Sequence, residues 1–591
     1  MIILGISCYF HDAAAALIED GLLVAAAEEE RFSRIKHDSS FPENAIQFCL
    51  DKAGIEGPDV DYVVFYEKPF LKFERMIKSA AADFPRSYWP FVQGMRTWLF
   101  DKLWVAGHIS KFLGVPRKRI LFNEHHMSHA ASAFYCSPFE TAAVLTVDGV
   151  GEWSTATLGV GSGNSLTISD EQRFPHSVGL LYSTFTAFLG FEVNEGEYKV
   201  MGMAPYGEPR YVEDIWKIVK LHPDGSTWLD LRYFAFHRST RSSFSRKFVG
   251  LFGAPRDPDI PFFTSDEDYR SYFGDRLVSG GDLIRYNRHY ADIAASIQVV
   301  TEEILLALAN HLHRTTGLSK LCFAGGVALN SVANGRLLNE TPFNEIYVQP
   351  AAGDAGGALG AALYVWKSAL GKDGRFQMNH VYWGEEYGPD ITRQSLDEAG
   401  MTWEHVEDRS RRLDMTLDRI LDGKVIGLAQ GRFEWGPRAL GNRSIIADPR
   451  REDMKDIVNT KIKFREPFRP FAPSILAEKV PEFFDIASPT AESLTQFMLL
   501  VTGVKGSRAD EIPAVSHRQT ARIQSVRSDV NPDFYELISR FDAVTGVPML
   551  LNTSFNVRGE PIVSSPHDAI RTFVNSGIDT LIVGDYMVDK P

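Results

Sequence analysis

The stretch that decides the fold is residues 124–149, EHHMSHAASAFYCSPFETAAVLTVDG. It predicts a helix that carries His125 and His129 on one face, because residues four apart on a helix are neighbours. The apolar run at 142–147 then predicts a buried strand that ends at Asp148. Two imidazoles and a carboxylate at a strand end can hold a metal ion with open coordination positions. Histidines at a helix start also serve as caps or as hydrogen-bonded core residues, and that alternative stays open at this point.

The strand plan of this region occurs twice. Residues 2–29 predict three strands, and Asp20-Gly21 is a strong hairpin signal between the second and the third. Residues 142–170 repeat the strand–turn–strand–turn–strand pattern, although the two copies share little identity. A duplicated unit of this kind, facing itself across a cleft, resembles the actin–hexokinase fold, which binds nucleotide between its halves.

Two glycine-rich turns later in the chain agree with a nucleotide cleft. Gly325 and Gly326 follow a short strand, and Gly353 with Asp354 follows another. Glycine lets the backbone approach a phosphate, and a helix N-terminus favours an anion. Ordinary tight turns use the same glycine pairs, so each turn alone is weak evidence. Residues 291–313 predict an amphipathic core helix.

Residues 222–280 show little periodicity and are predicted to form an irregular insertion near the cleft. The segment is rich in aromatic residues, which argues against a plain linker. We expect these aromatics to shape the pocket of a substrate, and the set is Phe234, Phe236, Phe262, Phe263, Tyr269 and Tyr272.

Composition excludes several classes of protein. The chain has 591 residues and a net charge of −14, which argues against a nucleic-acid-binding protein. The four cysteines are far apart, so a disulfide framework or zinc ribbon is not expected and a reducing cytoplasm fits. The N-terminus lacks the features of a signal peptide, and no stretch of about 18 apolar residues predicts a membrane span.

The C-terminal third has a different character, and residues 370–392 are predicted to contain a domain boundary. Residues 430–470 hold ten Lys and Arg in an acidic chain, set among Gly, Pro and aromatic residues, which favours a shaped anion site over a solvated helix face. The candidates are Arg432, Arg438, Arg443, Lys463, Arg465 and Arg469, joined later in the chain by Arg522. Asn552 and Ser554 end a predicted strand and suit phosphate or ribose contacts, with plain turn chemistry as the alternative.

A series of motifs in chain order carries a resemblance to a known family. They are GISCYFHDAAAALIEDG, EEERFSRIKHD, HHMSHAASAF, GEYKVMGMAPYG, FAGGVALN, GDAGGALG, GRFEWGPRALGNRSIIADPR, KIKFREPFRPFAP and LNTSFNVRGEPIV. Together they resemble the ATP-dependent O-carbamoyltransferases that decorate antibiotics, toxins and nodulation factors. The resemblance implies an α/β (α+β) protein with two domains. Residues 1–370 would form an actin-like, metal-bearing domain, and residues 380–591 a YrdC-like α/β domain.

The resemblance also implies the chemistry. The C-terminal domain would make carbamoyl adenylate from carbamoyl phosphate and ATP, with magnesium accompanying the ATP. The intermediate would travel through an internal tunnel to the N-terminal domain, where a hydroxyl of a small-molecule acceptor attacks the carbamoyl carbon and AMP leaves. We expect a cytoplasmic enzyme, with a homodimer as its expected oligomeric state.

The family's functional residues fall on matching positions. His125, His129, Asp148 and Asp354 would hold one divalent metal, expected to be iron, although manganese and zinc also fit. His11, in the turn after the first strand, would be the general base, with a plain hairpin residue as the alternative. Two further sets are implied. Lys199, Gly325, Gly326 and Asn330 would hold the adenylate, and Arg438, Lys463, Arg469, Arg522, Asn552 and Ser554 would bind carbamoyl phosphate and ATP.

One segment departs from the family pattern. Before Thr520-Ala521-Arg522 the family leads us to expect a His followed by an Asp-Gly-type turn, but the chain has His517-Arg518-Gln519. Two other functions were weighed against the carbamoyltransferase. A threonylcarbamoyl transferase acting on tRNA is disfavoured by the acidic charge. A non-catalytic nucleotide sensor with an actin-like fold is disfavoured by the dense C-terminal arginines. The identity of the acceptor stays open.

Overall fold

The computed structural model of the protein describes residues 1–100, 102–265, 281–486 and 491–590. The chain forms two compact units. Unit 1 consists of Met1–Ala25 and Ser39–Gln377, and unit 2 consists of Ala26–Asp38 and Met378–Pro591. The short segment Ala26–Asp38 therefore folds with residues that are hundreds of positions away in the chain.

Unit 1 is built on two sheets with the same strand order. Its strands are β1 Ile2–Ser7, β2 Ala14–Glu19, β3 Leu22–Glu28, β4 Tyr62–Phe65, β5 Ile120–Phe122, β6 Thr141–Val147, β7 Ser154–Ser162, β8 Ser165–Arg173, β9 Val219–Leu221, β10 Thr227–Leu229, β11 Lys320–Ala324 and β12 Glu345–Val348. The orders are β3-β2-β1-β4-β5 and β8-β7-β6-β11-β12. In each sheet the first strand pairs antiparallel with the second and parallel with a later strand. The predicted duplication is confirmed.

The hairpin signal in the first copy is explained by backbone geometry. Asp20 and Gly21 have φ values of 48° and 84°. Two successive left-handed residues form the turn whose twist matches that of the flanking strands, and Asp-Gly adopts it at little cost.

The helices of unit 1 cover the sheets. They are Glu43–Ala53, Pro69–Ala82, Tyr88–Phe100, Val105–Leu113, His125–Phe134, Val178–Phe188, Glu197–Met203, Val212–Ile218, Arg246–Phe252, Gly281–Thr316, Ser331–Glu340 and Asp354–Tyr364. We call His125–Phe134 the histidine helix and Asp354–Tyr364 the aspartate helix. The two approach closely, because a β-carbon added at Gly360 would lie 1.9 Å from the carbonyl oxygen of Ser128. Glycine at this position therefore sets the distance between two helices that carry candidate ligands.

The structure corrects the expectation that Phe234, Phe262 and Phe263 line a substrate pocket. Phe234, Phe262 and Phe263 are buried, and Phe234 packs with Phe248, which in turn contacts Phe185. These aromatics belong to a packed core and do not line an open pocket. They come from a segment with little regular structure, and tertiary packing buries them. Phe236 is only partly buried, and Tyr269 and Tyr272 lie outside the described residues.

Unit 2 contains a mixed sheet in the order β13-β22-β21-β14-β15-β20-β16-β19 and a small pair, β17-β18. Its strands are β13 Glu404–His405, β14 Ile426–Ala429, β15 Arg443–Ala447, β16 Ala472–Leu476, β17 Val501–Gly503, β18 Thr520–Arg522, β19 Gln524–Val526, β20 Met549–Ser554, β21 Thr580–Val583 and β22 Tyr586–Asp589. Its helices are Glu30–Ser33, Pro389–Glu398, Arg409–Leu421, Met454–Asp456, Val480–Phe483, Glu492–Gln496, Pro532–Thr545 and Pro566–Val574. The expected α/β class is confirmed.

The cysteines Cys8, Cys49, Cys136 and Cys322 are buried thiols. Within the described ranges, none of the helices combines the length and apolar character needed to cross a membrane.

Candidate metal centre and anion site

Four side chains of unit 1 converge on one buried point. Nε2 of His125 lies 3.1 Å from Nε2 of His129 and 3.1 Å from Oδ2 of Asp148. Oδ1 of Asp354 lies 3.7 Å from both imidazole nitrogens. His125 and His129 sit one turn apart on the histidine helix, Asp148 follows β6, and Asp354 begins the aspartate helix. The structure brings together all four residues that were predicted as metal ligands.

The donor atoms of this cluster fit a single divalent cation. All four lie within 4.8 Å of one another. Ligands held roughly 2.0–2.2 Å from one first-row metal stand about 3–4 Å apart. The separations that involve the two imidazoles, 3.1 to 3.8 Å, agree with this spacing. Two imidazoles with two carboxylates suit iron, manganese or zinc.

Residues outside the predicted set hold the ligands in place. The hydroxyl of Tyr66 donates to Oδ2 of Asp354 at 3.3 Å, and the N–H of Gly326 donates to Oδ1 of Asp148 at 3.0 Å. The carboxylate of Glu152 accepts the N–H of His125, which caps the histidine helix. Such partners fix the orientation of ligands. Tyr66 and Glu152 gave no sequence signal, and Gly326 had been assigned to nucleotide binding alone.

The imidazoles and carboxylates of the cluster shift one another's pKa values. Burial lowers the pKa of His129, but hydrogen bonds and charges from Asp148 and Asp354 outweigh it and raise the pKa to about 9. Burial acts to raise the pKa of Asp148, but His125 and His129 hold it well below its usual value. The carboxylate of Asp148 is therefore ionised, as metal ligation requires.

His11 lies in the turn after β1. Its Nδ1 atom is 2.8 Å from Oδ2 of Asp12. Burial lowers the pKa of His11, but the hydrogen bond and charge of Asp12, with the charges of Asp354 and Glu197, raise it to about 9. Asp354, one of the candidate metal ligands, is thus among the carboxylates that raise the pKa of His11.

The predicted adenylate residues have defined local roles. Gly325 has a φ of 96°, and a β-carbon there would lie 2.3 Å from the carbonyl oxygen of Val147, so close packing alone requires glycine. The side chain of Asn330 caps the helix Ser331–Glu340. Nζ of Lys199 lies 5.6 Å from the ring centre of Phe191. Nucleotide contacts by these residues stay predictions.

Unit 2 gathers three guanidinium groups from separate segments. Arg438 lies in the loop before β15, Arg469 precedes β16, and Arg522 ends β18. Burial and the positive charges of Arg438 and Arg469 lower the pKa of Arg522 well below its usual value. Arg469 also lies 3.5 Å from Glu466. Like charges held together in a low-dielectric interior are unfavourable until an anion binds among them.

Lys463 is tied to the end of β20. Its Nζ atom donates to the carbonyl oxygen of Ser554 at 2.7 Å and to Oδ1 of Asn556 at 2.6 Å, and two further oxygens of these residues lie within 3.1 Å. Burial, Arg465 and Arg469 lower its pKa. Four oxygen acceptors nevertheless favour the ammonium form, which has only donors to offer.

The side chain of Asn552 makes hydrogen bonds within unit 2. Its amide nitrogen donates to Oγ of Ser474, Oε1 of Gln524 and the carbonyl oxygen of Ala439. Ser554 donates to Oδ1 of Asn556 at 2.7 Å. The contacts of Asn552 with Ser474 and Gln524 join β16, β19 and β20. Direct donation to a phosphate by Asn552 or Ser554 stays a prediction.

Two of the arginines from the candidate anion region have structural roles instead. The guanidinium of Arg443 donates to main-chain oxygens of Gln430, Gly431 and Ser564. That of Arg432 donates to the main chain of Trp383 and Gly384. Sequence composition cannot separate such arginines from those that face a substrate, because both stand among glycines and aromatics.

The segment before Thr520, which departs from the family pattern, still forms a turn. Arg518 and Gln519 have φ values of 50° and 63°, and the N–H of Thr520 donates to the carbonyl oxygen of His517 at 3.0 Å. The turn that the family pattern leads us to expect is therefore present, made by two residues for which the left-handed conformation is costly. It leads directly into β18 and Arg522.

Unit 1 holds a buried cluster of metal-ligand type, and unit 2 holds the arginines that are predicted to bind an anion. The comparisons with known proteins name the class of the protein. Residues 2–363 match the family model "Carbamoyltransferase N-terminus", and residues 417–590 match "Carbamoyltransferase C-terminus". The chain belongs to the carbamoyltransferase family and is an enzyme of carbamoyl transfer.

Relatives cover nearly the whole chain. An uncharacterised protein of Synechocystis is 45% identical, over 100% of this chain and 96% of its own length. The nodulation protein NolNO of Sinorhizobium fredii is 38% identical, over 98% of this chain and 79% of its own length. Among solved structures, component A of the 2-hydroxyglutaryl-CoA dehydratase of Acidaminococcus fermentans is 15% identical, with a TM-score of 0.31, over 62% of this chain and 97% of its own. That likeness is too low to carry an argument.

Proposed function

We propose that the protein is an ATP-dependent O-carbamoyltransferase whose two units carry two half-reactions. The observation that carries the proposal is the cluster of Arg438, Arg469 and Arg522 with Lys463 in unit 2. Its positive charges are stabilised when a phosphorylated substrate binds among them. Family membership supports carbamoyl phosphate as that substrate.

In unit 2, a water molecule would hydrolyse carbamoyl phosphate: the bond between its carbamoyl and phosphate groups breaks, and carbamate and inorganic phosphate form. An oxygen of the carbamate then attacks the α-phosphorus of ATP, the new O–P bond forms, and the bond to pyrophosphate breaks. The guanidinium groups and the ammonium of Lys463 offset the charge that builds up on the phosphate oxygens, which is the main contribution a protein makes to such transfers. Magnesium is expected to accompany the ATP.

In unit 1, a hydroxyl of a small-molecule acceptor would attack the carbamoyl carbon of the adenylate. His11 takes the hydroxyl proton, the C–O bond to the acceptor forms, and AMP leaves. A divalent metal held by His125, His129, Asp148 and Asp354, expected to be iron, with manganese or zinc as alternatives, supplies electrophilic polarisation when bound. Tyr66 and Gly326 keep the carboxylates oriented. Asp12 orients the imidazole of His11 through the contact at Nδ1.

The first test is pyrophosphate release from ATP in the absence of an acceptor. We expect release that depends on carbamoyl phosphate, and its loss in the variant Arg522→Gln. The matched control is Arg527→Gln, because Arg527 forms surface ion pairs with Glu492 and Asp529 outside the cluster. Release that is equal with and without carbamoyl phosphate would overturn the proposal.

The second half-reaction is tested with His11→Ala. This variant should keep pyrophosphate release and lose carbamoyl transfer to a hydroxyl acceptor found by screening. Transfer at the wild-type rate would remove His11 from the mechanism while leaving the first half-reaction intact.

A further inference from the structure

The segment Ala26–Asp38 stands out because it belongs to unit 2 although its neighbours in the chain belong to unit 1. It contributes Glu28 and Arg31, both buried, to the loop that carries Arg438. The N–H of Gly436 donates to Oε1 of Glu28 at 2.6 Å. The carbonyl oxygen of the same residue accepts from a terminal nitrogen of Arg31 at 2.8 Å.

These two hydrogen bonds fix both peptide groups of Gly436, one through its N–H and the other through its carbonyl oxygen. Gly436 has a φ of 104°, and the loop around it lies outside helices and strands. Its shape therefore depends on side chains that bind its main chain. Nε of Arg31 also lies 3.5 Å from Oε2 of Glu28, which links the two side chains to each other.

The other end of the loop has its own anchor. Oε1 of the buried Glu434 accepts the N–H groups of Leu440, Asn442 and Arg443 at 2.8, 2.9 and 3.1 Å. Arg438 stands between the two anchored stretches. A main chain fixed on both sides of a residue limits where its guanidinium can point.

The segment is itself held firmly. The guanidinium of Arg34 donates to the carbonyl oxygens of Pro561 and Ile562 at 2.9 and 2.7 Å, and its Nε lies 3.3 Å from Oδ1 of Asp568. Phe32 packs edge-on against Phe433. The segment can therefore act as a fixed support for the loop.

We propose that Glu28 and Arg31 are positioning residues of the anion site: they hold Gly436 and so place the guanidinium of Arg438 on the phosphorylated substrate. The proposal rests on the proposed function of unit 2, and it adds a part of the N-terminal chain to that site. Sites are sensitive to such supports, because a displacement of about 1 Å can cost about a hundredfold in rate.

The test compares the same substitution at two positions of the segment. Arg31→Lys keeps the positive charge but loses the planar, forked donor. We expect it to raise the KM for carbamoyl phosphate at least tenfold in pyrophosphate release, with the KM for ATP changed less than threefold. Arg34→Lys is the matched control, because Arg34 binds Pro561 and Ile562, whereas Arg31 binds Gly436. This variant should lower Tm and leave both KM values within twofold.

Glu28→Gln is the second variant, chosen because it keeps the size of the side chain and an acceptor for the N–H of Gly436. It should give an intermediate rise in the KM for carbamoyl phosphate. Equal effects of Arg31→Lys and Arg34→Lys on that KM, or a fall in Tm without any change in KM, would overturn the proposal.

A binding measurement separates this proposal from the proposed function. Calorimetric titration of the full-length variants with inorganic phosphate needs no turnover, so it applies even if carbamoyl phosphate is not the substrate. A loss of phosphate affinity in Arg31→Lys but not in Arg34→Lys supports positioning, and unchanged affinity in both contradicts it.

Discussion

Two glycines beside the metal cluster differ in what they touch. A β-carbon at Gly326 would lie 2.9 Å from Oδ1 of Asp148, whereas one at Gly353 would meet nothing within 4 Å. Gly353 immediately precedes the candidate ligand Asp354, and Gly326 contacts the candidate ligand Asp148. Only the position of Gly326 has no room for a larger side chain. Substituting these two glycines therefore tests the candidate metal site without changing any of its ligand residues.

Gly326→Ala should therefore displace the carboxylate of Asp148 and weaken metal binding by about tenfold, the lower end of what changes beside ligands cause. The measurement is competition for the metal against a chelator of known affinity. Gly353→Ala, next to Asp354, should bind metal like the wild type. Equal metal affinity in both variants would mean that Asp148 is not held as a ligand.

The pH dependence of transfer follows from His11. Burial lowers its pKa, but Asp12 and more distant carboxylates raise it to about 9. A general base acts in its neutral form, so the transfer rate should rise with pH until about pH 9 and level off above it. Asp12→Asn removes the nearest negative charge, lowers this pKa and should raise transfer at pH 7 by roughly tenfold, which corresponds to one pKa unit.

The measurement is kcat/KM for carbamoyl transfer between pH 6 and pH 10. Pyrophosphate release provides the internal control, because we propose that it takes place in unit 2, so its profile should not change in Asp12→Asn. A transfer profile that moves to higher pH in this variant would contradict the assignment of His11 as base.

At the residue scale, the sequence predicted those site residues that can be recognised from their spacing or chemical type. His125 and His129 were found because residues four apart share a helix face, and Asp148 because it ends an apolar strand. Tyr66 could not be found, because its partner Asp354 is nearly three hundred residues away and a tyrosine after a strand is unremarkable. The contact follows only from the way the strands and helices pack.

At the scale of elements, the histidine helix and the aspartate helix, which carry three of the candidate metal ligands, approach each other closely. A β-carbon at Gly360 of the aspartate helix would lie 1.9 Å from the carbonyl oxygen of Ser128 and 2.8 Å from the amide nitrogen of Ser132, both on the histidine helix. Main-chain atoms cannot move aside singly, so a larger residue must separate the helices.

Gly360→Ala should destabilise the protein by about 2 kcal/mol or more and reduce metal binding at the same time. The control is Gly250→Ala at an exposed position of the helix Arg246–Phe252, where a β-carbon meets nothing within 4 Å. That variant should gain about 0.5–1 kcal/mol, because alanine favours a helix. Thermal unfolding with and without metal distinguishes them, and a Gly360→Ala protein with unchanged Tm and metal affinity would contradict the close packing.

Elements with a clear period were predicted well, and elements without one were not. Alternating and continuous apolar runs gave the strands of both copies in unit 1. The expectation that Phe234, Phe262 and Phe263 line a substrate pocket was wrong, because these side chains are buried in the folded chain, which no local pattern shows. Periodicity reports which face of an element is buried only when the element is long enough to show it.

At the scale of the whole molecule, the chain passes from unit 1 to unit 2, back again, and finally to unit 2. The sequence predicted a boundary near residues 370–392 from its glycines and its change in composition. It gave no sign that Ala26–Asp38 belongs with the C-terminal residues, because that assignment depends on contacts such as Arg31 with Gly436, more than four hundred positions apart.

This connectivity predicts the behaviour of a chain cut between residues 377 and 378. The fragment 378–591 lacks Arg31 and Arg34, whose buried or half-buried side chains satisfy the main chain of Gly436, Pro561 and Ile562. Unpaired polar groups and the empty volume of a fully buried arginine each destabilise a fold by kilocalories. We expect this fragment to be poorly folded alone and to become soluble when fragment 1–377 is produced with it.

Adding a synthetic peptide of residues 26–38 isolates the cause, since it should raise the Tm of fragment 378–591, while a peptide with Arg31→Ala should not. A fragment 378–591 that binds phosphate as tightly as the full chain would show that the segment is dispensable.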